Sequence, residues 1–124
     1  SQVLSRLAAH AFCMQLRGIN HFTSKGRSKS IWVGVAEEPS LFSLHSKIKN
    51  SLQINGIPRD KRQFSPHVTL ARLRNVRPED TAGFIAFNNL FKTRSFRIES
   101  FTLFESISKK EGSIHLPLKK FQLI

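Results

Sequence analysis

The residues of this sequence best suited to chemistry lie in the short segment Pro66-His67-Val68-Thr69-Leu70. Polar and apolar residues alternate there, which predicts a strand. Because side chains at i and i+2 of a strand share a face, we expect His67 and Thr69 to project together and Val68 and Leu70 to be buried on the other face. An imidazole exchanges a proton near neutral pH, and a hydroxyl can hydrogen-bond a phosphate oxygen. The pair therefore suits phosphoester chemistry.

Arg72 follows the same segment and is a candidate phosphate ligand. By strand parity its side chain belongs to the face of Val68 and Leu70. Only a twist, a bulge or the length of the side chain would then bring the guanidinium to the other face. The alternative is that His67 and Thr69 are the polar face of an ordinary half-exposed strand, since His-x-Thr alone recurs by chance.

Other residues with chemical potential have simpler interpretations. His10 and His45 are expected on helices as surface residues, with no carboxylate or second histidine at i+3 or i+4, so no metal site is predicted. Cys13 is expected to be a small core residue, and Trp32 is also expected in the core. Phe64 is a candidate for stacking on a base beside His67, although core packing is the favoured interpretation, because most of the eleven Phe residues are expected to fill the interior.

Charge is the most unusual property of the composition. Twenty Lys and Arg residues oppose eight Asp and Glu residues, for a net charge of +12 and a pI near 11.0. Such a chain has a positive potential over much of its surface, which favours a polyanionic partner, and nucleic acid above all. The alternative is a charged surface that only maintains solubility. The cations are dispersed along the chain, which indicates a folded basic surface and not a disordered arm.

Length and composition predict one folded domain over residues 1–124, because 40% of the residues are hydrophobic and 23% are charged. No apolar run approaches the roughly 18 residues that a membrane span needs, and no secretory signal is visible. A single cysteine excludes an internal disulfide. A cytoplasmic monomer that does not bind membranes is the expectation.

The order of predicted elements gives an α+β fold, with antiparallel sheets and helices packed on their outer side. The first residues, up to about Ala11, have helical spacing. The later elements are a strand over Phe12 to Ile19, a loop over Asn20 to Ser30, a strand over Ile31 to Ala36, a helix from Pro39 to Gly56, a basic loop over Arg59 to Pro66, a strand over His67 to Leu73, a helix from Pro78, and a closing hairpin of Phe96 to Ile107 with Ile114 to Ile124.

The nine residues from Phe64 to Arg72, FSPHVTLAR, resemble the second signature of the two-histidine phosphoesterases, most closely the branch of RNA 2',3'-cyclic phosphodiesterases, also called 2'-5' RNA ligases. The resemblance extends over essentially the whole chain. It implies a bilobal, pseudo-symmetric fold and an RNA or nucleotide with a 2',3'-cyclic phosphate as substrate. Two histidines would act as acid and base without metal or cofactor, with His67 as the base, and Thr69 and Arg72 would hold the phosphate. The reverse reaction would be 2'-5' ligation.

The sequence departs from that family in one important respect. The family has two His-x-Thr motifs, and the first is expected upstream of Ser1, so the chain resembles a fragment of the family fold. His21-Phe22-Thr23 repeats the pattern, but polar residues follow it and we interpret it as a coincidence. His115 stands where the family usually has Tyr. A basic RNA-binding domain of the same fold without catalysis is therefore the alternative function.

Overall fold

The computed structural model describes residues 9–57, 62–110 and 112–124. Within them the chain forms two helices and seven strands. In chain order these are β1 (Phe12–Met14), β2 (Leu16–Ser24), β3 (Arg27–Val35), α1 (Pro39–Ile54), β4 (His67–Val76), α2 (Pro78–Phe87), β5 (Phe96–Ile98), β6 (Ser100–Lys109) and β7 (Gly112–Gln122). The antiparallel sheets and the two helices confirm the predicted α+β class. No helix of the described residues is long and apolar enough to cross a membrane.

The described residues divide into two compact units. The sheet unit contains residues 14–38 and 62–96, and the hairpin unit contains residues 9–13, 39–57, 97–110 and 112–124. In the sheet unit, β2, β3 and β4 form an antiparallel sheet in that order. Ile19 and Val33 are opposite each other on β2 and β3 and form its buried apolar centre.

A tight turn joins β2 to β3 in the sheet unit. Ser24 pairs with Arg27, so the loop consists of Lys25 and Gly26 alone, and both residues have positive φ, of 53° and 73°. Two consecutive positive φ angles define the type I′ turn, whose twist matches that of the flanking strands. The predicted loop over Asn20 to Ser30 was therefore wrong, because strand pairing continues through these polar residues to a two-residue turn.

Helix α2 packs on β2 and β3 of the sheet unit. It begins at Pro78, and proline suits this position because an N–H in the first turn would have no partner within the helix. The carboxylates of Glu79 and Asp80 interact favourably with the positive N-terminal end of the helix dipole. The sequence predicts this helix for the same reasons. Thr81, one turn into the helix, is its buried residue.

The hairpin unit contains α1 and the long hairpin of β6 and β7. Leu44 on α1 and Phe121 on β7 are buried, together with Ala9 and Phe12 near the start of the chain. Two backbone hydrogen bonds join the ends of this unit: Ala11 N–H donates to the Ile124 carbonyl, and Ile124 N–H donates to the Ala9 carbonyl, both at 2.9 Å.

Several sequence-based boundaries differ from the structure. The strand predicted over Phe12 to Ile19 is interrupted at Gln15, which separates β1 from β2, and the strand predicted over Phe96 to Ile107 is interrupted at Glu99. The helix that ends at Ala11 lies mostly outside the described residues, and residues 9–11 are not helical. Cys13 is exposed, which corrects its prediction as a core residue.

Candidate active site

The His67 side chain lies on the sheet unit against two aromatic rings. Its ring centroid is 5.0 Å from that of Phe22 in an edge-on arrangement and 5.6 Å from that of Trp32. The Phe22 and Trp32 rings are themselves 5.0 Å apart. The Trp32 indole N–H is buried without a hydrogen-bond partner among the described residues, so ring packing holds Trp32 in this cluster.

One ring nitrogen of His67 forms a hydrogen bond with the backbone. His67 Nδ1 is 2.7 Å from the Ser65 carbonyl oxygen, and because a carbonyl only accepts, Nδ1 carries the proton and donates. In a neutral imidazole the second nitrogen then has the lone pair. The ring is thus oriented by its neighbours and presents Nε2 as the atom that can accept a proton.

Strand register places Thr69 on the same face as His67. His67 pairs with Gly34, and Thr69 pairs with Trp32, across β3 and β4. Both His67 and Thr69 are exposed, as the sequence predicts. Gly34 lies in a tight space beside them, because a Cβ there would lie 3.1 Å from the Arg17 carbonyl oxygen and 3.4 Å from the Trp32 ring, so a larger residue would require its neighbours to shift by a few tenths of an ångström.

Arg72 reaches that face through an irregularity in β4. Thr69 pairs with Trp32 and Ala71 pairs with Ile31, so Leu70 is an extra residue with no partner on β3. One extra residue reverses the alternation of the strand beyond it. Arg72 consequently pairs with Ser30, on the same face as Trp32, and not on the face that simple parity predicts.

The expectation that Val68 and Leu70 are buried was wrong. Val68 is 45% exposed and Leu70 is 54% exposed. Val68 pairs with the buried Val33, but among the described residues β4 has a strand neighbour on one side only. Leu70 is the unpaired residue of the bulge. Phe64, before the strand, is half-buried, and its proposed role in base stacking stays a prediction.

His21 lies away from the His67 cluster. Alternation along β2 places it on the opposite face from Phe22, and its Nδ1 is 2.8 Å from Thr81 Oγ1 and 3.1 Å from Ser28 Oγ. The two hydroxyls are 2.8 Å apart, and both residues are buried. These contacts support the interpretation of His21-Phe22-Thr23 as a coincidence, since His21 joins α2 to the sheet.

The remaining histidines do not form a metal site. No group of three His, Cys, Asp or Glu residues that could hold a metal ion occurs among residues 9–57, 62–110 and 112–124. His10 is exposed and His45 is on α1, both in the hairpin unit. In that unit, Ser106 Oγ hydrogen-bonds His115 Nδ1 at 2.9 Å.

The face described here combines a proton acceptor, a hydroxyl and a guanidinium on one strand. Sequence reasoning found His67 and Thr69, but it missed the contacts of Phe22 and Trp32 with His67. Those contacts depend on the pairing of three strands, for which no local signal exists. The cluster can exchange one proton with a reacting group and donate hydrogen bonds to an anion beside it.

A comparison with protein-family models matches residues 33–115 to the family of LigT-like phosphoesterases. The matched range includes the last three residues of β3, the whole of β4 and most of the closing hairpin.

Several curated relatives are named RNA 2',3'-cyclic phosphodiesterase. The protein of Archaeoglobus fulgidus is 28% identical over 119 residues, which are 96% of this chain and 66% of the relative. That of Aeropyrum pernix is 27% identical over 117 residues, which are 93% of this chain and 66% of the relative. The chain thus spans slightly less than two thirds of the length of these relatives.

Solved structures have the same fold. TT0787 of Thermus thermophilus is 26% identical with a TM-score of 0.66, over 97% of this chain and 64% of that protein. LigT of Escherichia coli, solved in complex with 3'-AMP, is 21% identical with a TM-score of 0.68, over 98% of this chain and 65% of that protein. At 21% identity, the likeness to LigT of Escherichia coli concerns the fold alone.

Proposed function

The chain belongs to the family of LigT-like phosphoesterases, and from this premise we propose that it hydrolyses RNA 2',3'-cyclic phosphates to terminal 2'-phosphates. Two archaeal relatives named for this activity align with nearly all of the chain and support the proposal. The observation that carries it is the exposed face of β4, where His67, Thr69 and Arg72 lie on one side.

In the proposed reaction, water adds to phosphorus while the bond from phosphorus to the ribose 3' oxygen breaks. His67 Nε2 accepts a proton from the attacking water, since Nδ1 already donates to the Ser65 carbonyl. A general acid returns a proton to the leaving 3' oxygen, so the proton count balances. We assign His67 the role of base, with the reverse assignment as the alternative.

Charge on the phosphoryl oxygens grows as the bonds change. Thr69 Oγ and the Arg72 guanidinium are the donors that we assign to these oxygens. A guanidinium presents several N–H groups in a fixed plane, which matches two phosphoryl oxygens at once. Phe64 is assigned to the base of the substrate, where its ring would stack. No metal or nucleotide cofactor takes part in the proposed reaction.

The general acid of this mechanism has no assignment among the described residues of the sheet unit. Within the sheet unit's described residues, the other histidine is His21, and its Nδ1 contacts Thr81 and Ser28 on the opposite side of β2. The resemblance to the family implies that the acid comes from a second His-x-Thr strand. This observation also favours the alternative function, an RNA-binding domain without turnover, for the 124 residues alone.

The test compares the 124-residue chain with a chain extended upstream through a second His-x-Thr strand. Each is incubated with adenosine 2',3'-cyclic phosphate in the presence of EDTA, and the products are separated by chromatography. The extended chain should release adenosine 2'-phosphate. The short chain should be at least about a hundredfold slower, because a positioned acid or base contributes about 10² to 10⁴. A 3'-phosphate product, or an absolute requirement for metal, would contradict the proposal.

The remaining expectations belong to the same proposal. RNA is the proposed partner, and a cytoplasmic, monomeric protein is the proposed form. Ligation to a 2'-5' linkage would use the same groups, with a ribose hydroxyl in place of water.

A further inference from the structure

The outer surface of α2 exposes large apolar side chains. The residue that α2 buries is Thr81, whereas Phe84 and Phe87, three positions apart on one side of the helix, are exposed. Leu90 and Phe91, in the turn after the helix, are exposed as well. We call these four residues the apolar patch. Residues 81–91 contain no charged residue, and an exposed apolar surface of this kind marks a site of contact with a partner.

Hydrogen bonds hold the apolar patch in one arrangement. Asn88 N–H donates to the carbonyls of Phe84 and Ile85, which ends the helix, and Phe91 N–H donates to the Asn88 carbonyl at 3.0 Å. The Phe91 carbonyl in turn accepts from Gly18 N–H at 2.9 Å, so the turn is fixed to the start of β2. A surface that is already ordered loses little conformational entropy on binding.

Two cations are placed side by side next to the apolar patch. Lys92 follows Phe91 and pairs with Arg17 of β2 in an antiparallel bridge. The bridge is flanked by two hydrogen bonds of 2.9 Å, from Gly18 N–H to the Phe91 carbonyl and from Thr93 N–H to the Leu16 carbonyl. Residues so flanked form the closer kind of cross-strand pair, and like charges there repel each other. An anion bound between Arg17 and Lys92 would remove this repulsion.

The segment after α2 is thus an amphipathic edge of the sheet. Phe91 and Lys92 are consecutive, so their side chains point to opposite sides of this edge. Arg94 is a third exposed cation two residues further on. In the described part of the chain, Arg17, Lys92 and Arg94 have no acidic partner. Phe and Leu on one side and cations on the other are the composition of segments that lie in a lipid–water interface.

We infer that this edge binds the surface of an anionic phospholipid bilayer. Phe87 and Leu90 enter the lipid, and the cations Arg17, Lys92 and Arg94 contact the phosphates. Phe87 is 89% exposed and Leu90 is 88% exposed, so both project from the protein, and fluid lipid accepts projecting groups without a complementary pocket. Long basic side chains reach headgroups while neighbouring apolar groups are buried. Binding at a surface needs no spanning helix, so this inference replaces the expectation that the chain does not bind membranes.

Charge favours the bilayer over a second copy of the chain. In a symmetric dimer the same surface of each copy would face the other, which would bring the cations of both edges together at a cost in free energy. An anionic leaflet instead attracts each of these cations, and the net charge of +12 adds to the attraction. The inference concerns binding alone and does not depend on the proposed hydrolysis.

The test measures co-sedimentation of the 124-residue chain with phosphatidylcholine vesicles that contain roughly a third phosphatidylserine. Phe87→Ala should weaken binding roughly tenfold, because an apolar ring no longer leaves water. Phe87→Trp should retain the affinity, since Trp favours the lipid interface. Ile54→Ala is the matched control: Ile54 ends α1 and is 83% exposed, and its truncation should change the affinity less than about twofold. Urea denaturation should show the same midpoint for all variants.

A second set of measurements separates insertion from simple charge attraction. Lys92→Gln should weaken binding about fivefold, the contribution of one cation near an anionic surface. In Phe87→Trp, lipids with brominated acyl chains should quench fluorescence beyond the quenching in the unchanged chain. Equal effects of Phe87→Ala and Ile54→Ala would overturn the inference, because net charge alone would then explain binding.

Two further outcomes would also overturn the inference. In the first, Phe87→Ala leaves vesicle binding intact and instead reduces self-association in sedimentation velocity, which would assign the apolar patch to a second copy. In the second, the chain extended upstream does not bind the vesicles, which would mean that upstream residues cover the patch. Because the vesicles contain no RNA or cyclic phosphate, failure here leaves the proposed hydrolysis to its own test.

Discussion

At the scale of single residues, the environment of His67 determines what its imidazole can do. The Ser65 carbonyl accepts from Nδ1, and the Phe22 and Trp32 rings pack against the ring. The sequence reveals a histidine two residues before a threonine, but not these three contacts. A backbone acceptor two residues away depends on the local path of the chain, and the aromatic neighbours come from other strands.

The hydrogen bond to Ser65 predicts the tautomer of His67. In its neutral form the imidazole should carry the proton on Nδ1, because only that nitrogen faces a carbonyl acceptor. Long-range proton–nitrogen NMR spectra distinguish the two tautomers through the couplings of the ring carbons' protons, and His67→Gln identifies the signal. If His67 carried its proton on Nε2, the orientation of the proposed base would be wrong.

At the scale of elements, the bulge in β4 is the feature that sequence parity does not reveal. The alternation of residues 67–73 correctly predicts a strand and the shared face of His67 and Thr69. It also predicts Arg72 on the wrong face, because the unpaired Leu70 is visible only in the register against β3. Helix α2 was easier to predict, since Pro78 and its acidic neighbours are local signals.

Helix α2 should depend on the buried hydroxyl of Thr81. This hydroxyl contacts His21 and Ser28 and donates to the Pro78 carbonyl at 3.0 Å. Thr81→Val keeps the side-chain volume but removes those hydrogen bonds. The groups that contact the hydroxyl then lose a hydrogen-bond partner in a buried place. The free energy of unfolding should fall by about 1–3 kcal/mol, as measured by urea denaturation.

Thr23→Val is the matched control, because Thr23 is an exposed threonine on β2. It should change the stability by less than about 0.5 kcal/mol. Equal effects of the two substitutions would mean that the contacts among His21, Ser28 and Thr81 do not stabilise the packing of α2 on the sheet.

At the scale of the whole molecule, charge is shared between the two units. Over the described residues, the sheet unit has ten Lys and Arg residues against four Asp and Glu residues, and the hairpin unit has seven against two. The sequence predicts a basic, α+β protein from composition and element order, and the structure confirms the fold class. Composition and element order do not predict its division into two units, because that depends on which distant segments contact each other; only the family resemblance implies a bilobal fold.

Affinity for RNA should therefore fall steeply as salt rises. Lysines and arginines that bind phosphates release counterions, and each contact adds about 0.7 to the slope of log affinity against log salt for single strands. Titrations of an RNA oligomer between 50 and 200 mM salt, on the order of cellular ionic strength, measure this slope. Binding that does not change with salt would contradict a phosphate-contacting surface.

The central claim is that the face of His67, and not that of His21, carries out the hydrolysis. Its most direct test is the turnover of adenosine 2',3'-cyclic phosphate by the extended chain and by its His67→Ala and His21→Ala variants. His67→Ala should lower kcat by about 10² to 10⁴, because it removes a proton acceptor beside the phosphate. The short chain with His67→Ala should still bind RNA. His21→Ala should retain most of the turnover, at some cost in stability, since His21 contacts only buried hydroxyls in the described structure. The opposite result, turnover that survives His67→Ala and is lost in a folded His21→Ala variant, would contradict the account.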